Sequence, residues 1–156
     1  MSKNKKNNPI WSERIKKNGN SLFKKVGNSL NVDKRLFRED IEGSHAHVEM
    51  LFKQKIISFK IKNKIIWGLN RIYNEIVKKK FLFNISHEDI HMSIEKRLFD
   101  LIGDDAGYIH TARSRNDQVV TDLKLWLIKS TKEIITNLEK INKVIILNAE
   151  KHVETI

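Results

Sequence analysis

The sequence predicts an all-α fold, and three observations carry that reading. Beyond about Asn31, apolar residues recur at intervals of three and four, the spacing of one face of an α-helix. No stretch alternates apolar and polar residues over the length of a strand. From Asp117 to about Glu154 there is neither Gly nor Pro, so nothing in the backbone chemistry interrupts a long helix.

The elements follow in chain order. Residues 1–10 read as a disordered basic tail, Met1-Ser-Lys-Asn-Lys-Lys-Asn-Asn8, closed by Pro9, the only proline. Trp11 to Val26 lacks periodicity and carries Gly19, which predicts an irregular arm. Gly27-Asn28-Ser29 is a turn signal. A first helical stretch begins near Asn31. Val32, Leu36 and Ile41 would bury one side, with Asp33, Lys34, Arg35, Arg38, Glu39 and Asp40 on the other. Gly43-Ser44 would kink or restart it before Val48, Leu51 and Phe52 carry the apolar face to about Ile57.

A second helix is expected over about 62–80, with Ile65, Leu69, Ile72 and Ile76 as its stripe. Lys78 to Lys80 suit the negative end of its dipole. A third starts near Ser86 as N-cap, with Glu88 and Asp89 in its first turn. Ile90, Ile94, Leu98 and Leu101 line it, and Gly103 ends it. The last helix is the longest. Val120, Leu123, Leu127, Ile134, Leu138, Ile141 and Ile145 form its stripe, widened by Val119, Trp126, Ile135 and Leu147. At about 1.5 Å per residue it would run roughly 55 Å, beyond the ~26 Å diameter of a 100-residue domain. Three shorter helices cannot cover so much apolar surface, so this helix wants further partners. Without them the chain is expected to be marginal and prone to aggregate.

Composition narrows the class. The chain of 156 residues has no cysteine, which removes disulfides and thiolate metal sites and fits a reducing compartment. No apolar run is long enough to cross a bilayer, and no apolar signal region follows the basic start. The expected location is the cytoplasm. The net charge of +11 raises the question of nucleic acid. Its distribution argues against that partner, because the lysines are scattered and no aromatic-rich basic strand offers a stacking platform.

One stretch falls outside this helical logic. From His110 to Gln118, nine residues carry two guanidiniums, two hydroxyls, two carboxamides, an imidazole and a carboxylate. A packed core has no use for such a set, because each buried polar group needs a partner. A loop that binds an anion does: Arg presents a planar fork matched to a carboxylate, and Asn, Ser and Thr add directed donors. A helix starting at about Asn116 or Asp117 would add free backbone N–H groups and a positive dipole end. The chemistry reads as a carboxylate-binding site for a small polyanionic metabolite.

At these residues a family resemblance enters. His110-Thr-Ala-Arg-Ser-Arg-Asn-Asp-Gln-Val-Val-Thr-Asp-Leu-Lys-Leu-Trp126 resembles the loop and helix start of the argininosuccinate lyases. Asn28-Ser29-Leu-Asn-Val-Asp33-Lys-Arg-Leu36 with Asp40-Ile-Glu-Gly-Ser44, and Glu88-Asp-Ile-His91 with Glu95, Arg97-Leu98 and Leu101-Ile-Gly103, look like two more of the family's segments. Order and spacing agree from Trp11 onward, least well between Lys53 and Ile85. Trp11-Ser-Glu-Arg-Ile15 stands where the family usually has Trp-Gly-Gly-Arg-Phe, which puts the path of the arm in question.

The resemblance implies a member of the fumarase and aspartase superfamily: a homotetramer on a central bundle of long helices, each active site drawing segments from three subunits. The reaction would be the β-elimination of argininosuccinate to arginine and fumarate in arginine biosynthesis, with no metal and no organic cofactor. The implied organisation is a basic tail at 1–10, an N-terminal helical domain at 11–115 and the first long bundle helix at 116–156. By resemblance, Ser29 and Asn116 contact substrate, Ser114 and Arg115 sit on the fumarate-forming carboxylates, and Thr111 and Arg113 shape the loop. Asp33 would hold the cationic arginine end. His91 and His110 are expected as orienting groups rather than as the base. The family's Gly-Tyr-Thr-His segment and its mobile Gly-Ser-Ser-x-Met-Pro-x-Lys-x-Asn loop are not in this sequence. The catalytic set is therefore expected to be incomplete here, and the chain inactive alone. Two other readings stand: another fumarate-forming lyase of the superfamily, or a non-catalytic basic helical fragment with nucleic-acid or self-association properties.

Overall fold

The computed structural model describes residues 26–84 and 86–155; the expectations for the 1–10 tail and for the arm at 11–25 lie outside them. Among the described residues every regular element is helical. A single turn α1 (Leu30–Asp33) leads through a 3-10 turn (Lys34–Leu36) into α2 (Phe37–Lys53), followed by α3 (Phe59–Val77) and α4 (Ile90–Ile102). A 3-10 stretch (Gly103–His110) then delivers the chain to α5 (Arg115–Lys151), 37 residues long.

The core lies where α2, α3 and α4 meet. Val48 and Leu51 from α2, Ile65, Leu69 and Ile72 from α3, and Ile90, Ile94 and Leu98 from α4 are buried there, closed by Ile109 of the 3-10 stretch. The stripes expected for α3 and α4 thus face inward. Gly68 permits the closest approach: a Cβ at that position would stand 2.4 Å from Leu98 Cδ1. Lys62 ties α3 to α2 by pairing with Glu49 at 3.2 Å while its ammonium lies 4.5 Å from the Phe52 ring centroid.

Three local expectations give way. Ser86 is not the cap of α4; Asp89 is, its carboxylate accepting from Met92 N at 2.6 Å, while Ser86 N donates to the Asn84 side chain at 2.9 Å. A carboxylate at the positive helix end outcompetes a hydroxyl three residues earlier. Gly43-Ser44 neither kinks nor restarts the helix, since α2 runs unbroken through both. Gly43 instead makes room for α5, a Cβ there meeting Asp122 Oδ1 at 3.4 Å. The faces of the first helical stretch are also partly reversed. Val32 is exposed, whereas Glu39 and Asp40, expected on the wet side, are buried. Both carboxylates find partners on α5, Lys129 for Glu39 at 2.9 Å and Gln118 for Asp40, which makes their burial affordable.

α5 extends beyond the core formed by α2, α3 and α4. Only Gln118 and Asp122 of its 37 residues are buried. Its apolar stripe stays open, with Ile134, Leu138, Ile141 and Ile145 all exposed. No helix among the described residues is long and apolar enough to cross a membrane.

Candidate functional site

The polar stretch is shorter and more tightly held than a free loop. The 3-10 segment covers Gly103–His110, so only residues 111–114 separate it from α5. Ala112 turns the chain in the left-handed region at φ 55°, a conformation that costs a non-glycine residue of order 1–3 kcal/mol and persists only when its surroundings impose it. They do so from both sides. Thr111 N donates to Tyr108 O at 3.0 Å and Arg113 N to His110 O at 3.1 Å. The Thr111 carbonyl also sits 3.0 Å from His47 Nε2. Helix α5 begins at Arg115 rather than at Asn116 or Asp117, with Ser114 as its cap. The Ser114 hydroxyl accepts from Asn116 N at 3.2 Å, and Asp117 reaches back to accept from Ser114 N at 3.1 Å. This reciprocal box fixes the turn and aims the helix start.

The two arginines part company. Arg115 points inward and is gripped by Glu95, with Nη1–Oε1 at 2.6 Å and Nη2–Oε2 at 3.0 Å; Nη1 also donates to Gln118 Oε1 at 2.9 Å, and Asp89 lies 3.7 Å away. Burial alone would raise the Glu95 carboxyl, but His110 and Arg115 outweigh it and hold that carboxyl below its usual range. Arg113 is far less committed. Its Nη atoms reach only Ser44 Oγ, both at 3.5 Å, and its buried Nε has no partner among the described residues. Burial lowers the Arg113 pKa, against the pull of Asp40, Glu95 and Asp122. A guanidinium with unused donors in a half-buried position is what an incoming carboxylate would use.

The remaining residues singled out in the sequence gather around the start of α4. Ser29 Oγ donates to Asp33 Oδ2 at 2.5 Å, and Asp33 Oδ1 accepts from Ile90 N at 3.1 Å. Ser29 N donates to the Glu88 carbonyl at 2.9 Å. One residue further on, Asp89 faces Arg115. Ser29 and Asp33 are thereby connected to the 111–116 turn through the first turn of α4. Asn116 is exposed on the first turn of α5. His110 is held inward, Nε2 at 2.5 Å from Glu95 Oε1. His91 is buried beneath, Nδ1 at 3.0 Å from Asp40 Oδ1 and 3.4 Å from Asp122 Oδ2.

Four groups on which this arrangement depends were not picked out as site residues in the sequence: Asp40, Glu95, Gln118 and Asp122. Asp40, Gln118 and Asp122 are buried. Burial pulls the Asp40 carboxyl up, but the hydrogen bond and charge of His91 and the Gln118 amide more than offset it, leaving Asp40 below its usual range. Burial and the Asp40 charge push Asp122 up to about 7. His91 is raised, because Asp40 overcomes the opposing effect of burial. One ligand atom from each of Asp40, His91 and Asp122 fits within a 4.8 Å span. The geometry is better satisfied by protons than by a cation: His91 and Gln118 already converge on Asp40, and the Arg113 charge acts on both carboxylates. No local signal marked these four groups: polar residues recur along the whole of α5, so Gln118 and Asp122 look like the rest of its wet surface.

The sequence profile of a family described as lyase matches residues 13–156. The chain belongs to this lyase family. Among its curated relatives, the argininosuccinate lyase of Pelagibacter ubique (strain HTCC1062) is 65% identical over 156 residues, all of this chain and 34% of the relative. The argininosuccinate lyase of Campylobacter jejuni (strain RM1221) is 47% identical over 150 residues, 96% of this chain and 33% of the relative. That of Ehrlichia ruminantium (strain Welgevonden) is 46% identical over 149 residues, 96% of this chain and 32% of the relative. The chain therefore spans about a third of the length of the curated lyases it matches.

Proposed function

We propose that the chain contributes part of an argininosuccinate lyase, which splits argininosuccinate into arginine and fumarate. The observation that carries this reading is the 65% identity, over every residue of the chain, to a relative of that name. The site chemistry agrees with it. In a β-elimination a base removes a proton from the carbon beside a carboxylate, and negative charge builds on that carboxylate. Donors fixed in advance lower the barrier, and an acid serves the departing guanidino nitrogen. Arg113, the Asn116 side chain and the Ser114 hydroxyl are such donors, with Arg115 offering its remaining N–H groups; the backbone N–H groups expected to be free at the start of α5 are instead taken up by the Ser114 cap. Thr111 shapes the turn, and Ser29 with Asp33 serves the cationic arginine end. His91 and His110, both held by carboxylates, orient rather than abstract.

The other parts of the proposal are what the family resemblance implies. Residues up to about 115 act as an N-terminal helical domain, and α5 is the first long helix of a central bundle, its exposed stripe covered by other helices of a homotetramer in the cytoplasm. The rest of the catalytic set comes from sequence corresponding to the other two-thirds of the relatives. A chimera tests this: residues 1–156 replace the matching segment of the Pelagibacter ubique enzyme, and fumarate release from argininosuccinate is followed. Turnover comparable to the parent supports the proposal; a folded, assembled chimera without turnover refutes it. Residues 1–156 alone are expected to release no fumarate.

A further inference from the structure

Helix α5 docks in an unusual way for a helix that carries so long an apolar stripe. The two residues it buries are Gln118 and Asp122, one turn apart, while Val120, Leu123 and Leu127 around them stay exposed. The surface they enter is polar too, with Asp40 from α2 and His91 from α4. Gly43 lets the backbones approach, and Lys129 adds an outer clamp on Glu39 and Glu42 at 2.9 and 2.6 Å. Apolar contacts tolerate sliding by small steps. A buried polar set is satisfied in one register alone, and fixing register is the best-attested use of such groups.

We propose that Asp122 is a positioning residue: protonated, and clasped with Asp40, His91 and Gln118, it fixes the register of α5 and thereby the placement of the Arg113–Asn116 turn. Buried carboxyls this close cannot both ionise cheaply, so one holds a proton. Asp40 is the charged member because His91 and Gln118 donate to it. Asp122 Oδ2 is buried with no hydrogen-bond partner among the described residues and lies 3.4 Å from His91 Nδ1, an orphaned position that costs less for a neutral carboxyl than for a carboxylate. The charged groups acting on the clasp are Asp40 from α2, His91 and Asp89 from α4, Arg113 from the turn and Arg115 from α5 itself. Loss of the proton to solvent leaves two carboxylates facing one imidazolium. The clasp then loosens, and the cap at Ser114, two turns away on the same helix, loosens with it. The inference does not depend on what the turn binds.

Carboxyl carbon NMR of the 156-residue chain reads the proton directly. Asp122 is expected to titrate near neutrality; a midpoint near that of a free aspartate, about 4, overturns the proposal. Amide exchange of residues 114–118 reads the consequence. In the wild type the opening equilibrium should rise by about tenfold or more between about pH 5 and about pH 8, as one pKa unit implies. In Asp122→Asn, which keeps the shape and cannot ionise, that rise should shrink to the part contributed by His91, whose pKa is also raised. A purely structural hydrogen bond would leave the pH dependence of the two proteins alike, and that result also overturns the proposal.

Discussion

Replacing Glu95 with Gln probes the strongest electrostatic contact in the site. Glu95 accepts both Arg115 bonds, at 2.6 and 3.0 Å, and faces His110 at 2.5 Å. The amide keeps the volume and one acceptor oxygen, but it removes the charge and points an N–H₂ group at a guanidinium. Breaking a buried ion pair from one side costs about 3–5 kcal/mol. The Arg115 side chain retains 26% of its exposure and Asp89 at 3.7 Å, so solvent and the second carboxylate bring the cost to or below the bottom of that range, about 2–3 kcal/mol. For a chain of this size that is a fall in Tm of roughly 4–12 °C. The pH dependence has a definite sign. Glu95 is lowered, so its stabilisation is present above the ordinary carboxyl range and is lost as pH falls through the folded value. The variant should therefore lose more stability at pH 7 than at pH 3, measured by urea denaturation. An unchanged midpoint at pH 7 would show that Arg115 is not held by Glu95, and the inward-facing description of Arg115 would be wrong.

Other outcomes follow from single contacts. Gly68→Ala should destabilise the chain by about 1–3 kcal/mol in urea denaturation: the new methyl meets Leu98, which is fully buried and has nowhere to move. Gly107→Ala, where nothing stands within 4 Å of the added carbon, should change the midpoint little. Ser114→Ala removes the cap of α5 and should cost about 1 kcal/mol, with faster exchange at Asn116 N and its neighbours. Asp122 gives stability an unusual slope. Its pKa is raised from 3.8 to about 7, so its contribution is full below about pH 4 and lost as pH rises toward 7, up to about 4 kcal/mol in all at ~1.36 per unit. His91, also raised, loses its contribution as pH climbs past its folded value, and Asp40, lowered, loses its own only in acid. The stability of the wild type relative to Asp122→Asn should therefore decline from pH 4 to pH 8; a flat difference would contradict the buried proton.

The helices were legible because their signals are local. Ile65, Leu69 and Ile72, or Ile90, Ile94 and Leu98, need only a shared face to be read as core, and Gly103 needs only its place after an apolar stripe. The polar stretch at 110–118 stood out for the opposite reason, since its composition fits no apolar core, yet the structure buries Gln118 and turns Arg115 and His110 inward onto Glu95. What stayed hidden depends on partners distant in the chain. Asp40 looks like any solvated acid until Gln118, 78 positions on, donates to it. Glu95 looks like a surface residue of a helix until Arg115 folds back over it. The resemblance tied Arg115 to a ligand, yet only the geometry shows that Glu95 already occupies much of its fork. Gly43 was read through its backbone freedom, whereas the absence of its side chain is what the packing uses. Helix ends, set by competition among neighbouring caps such as Ser86 and Asp89, shift by a few residues for the same reason.

The central claim is that the turn at the start of α5 presents donors to a carboxylate as charge builds on it. Asn116 tests this most directly, because it is exposed and lies outside the Glu95 and Asp40 networks that hold the fold. The measurement is the rate of fumarate release by the chimeric lyase carrying Asn116→Ala. A fall of roughly 10²–10³-fold, the scale for losing one donor to a developing anion, with an unchanged Tm, is the predicted result. Release at the parental rate would contradict the account.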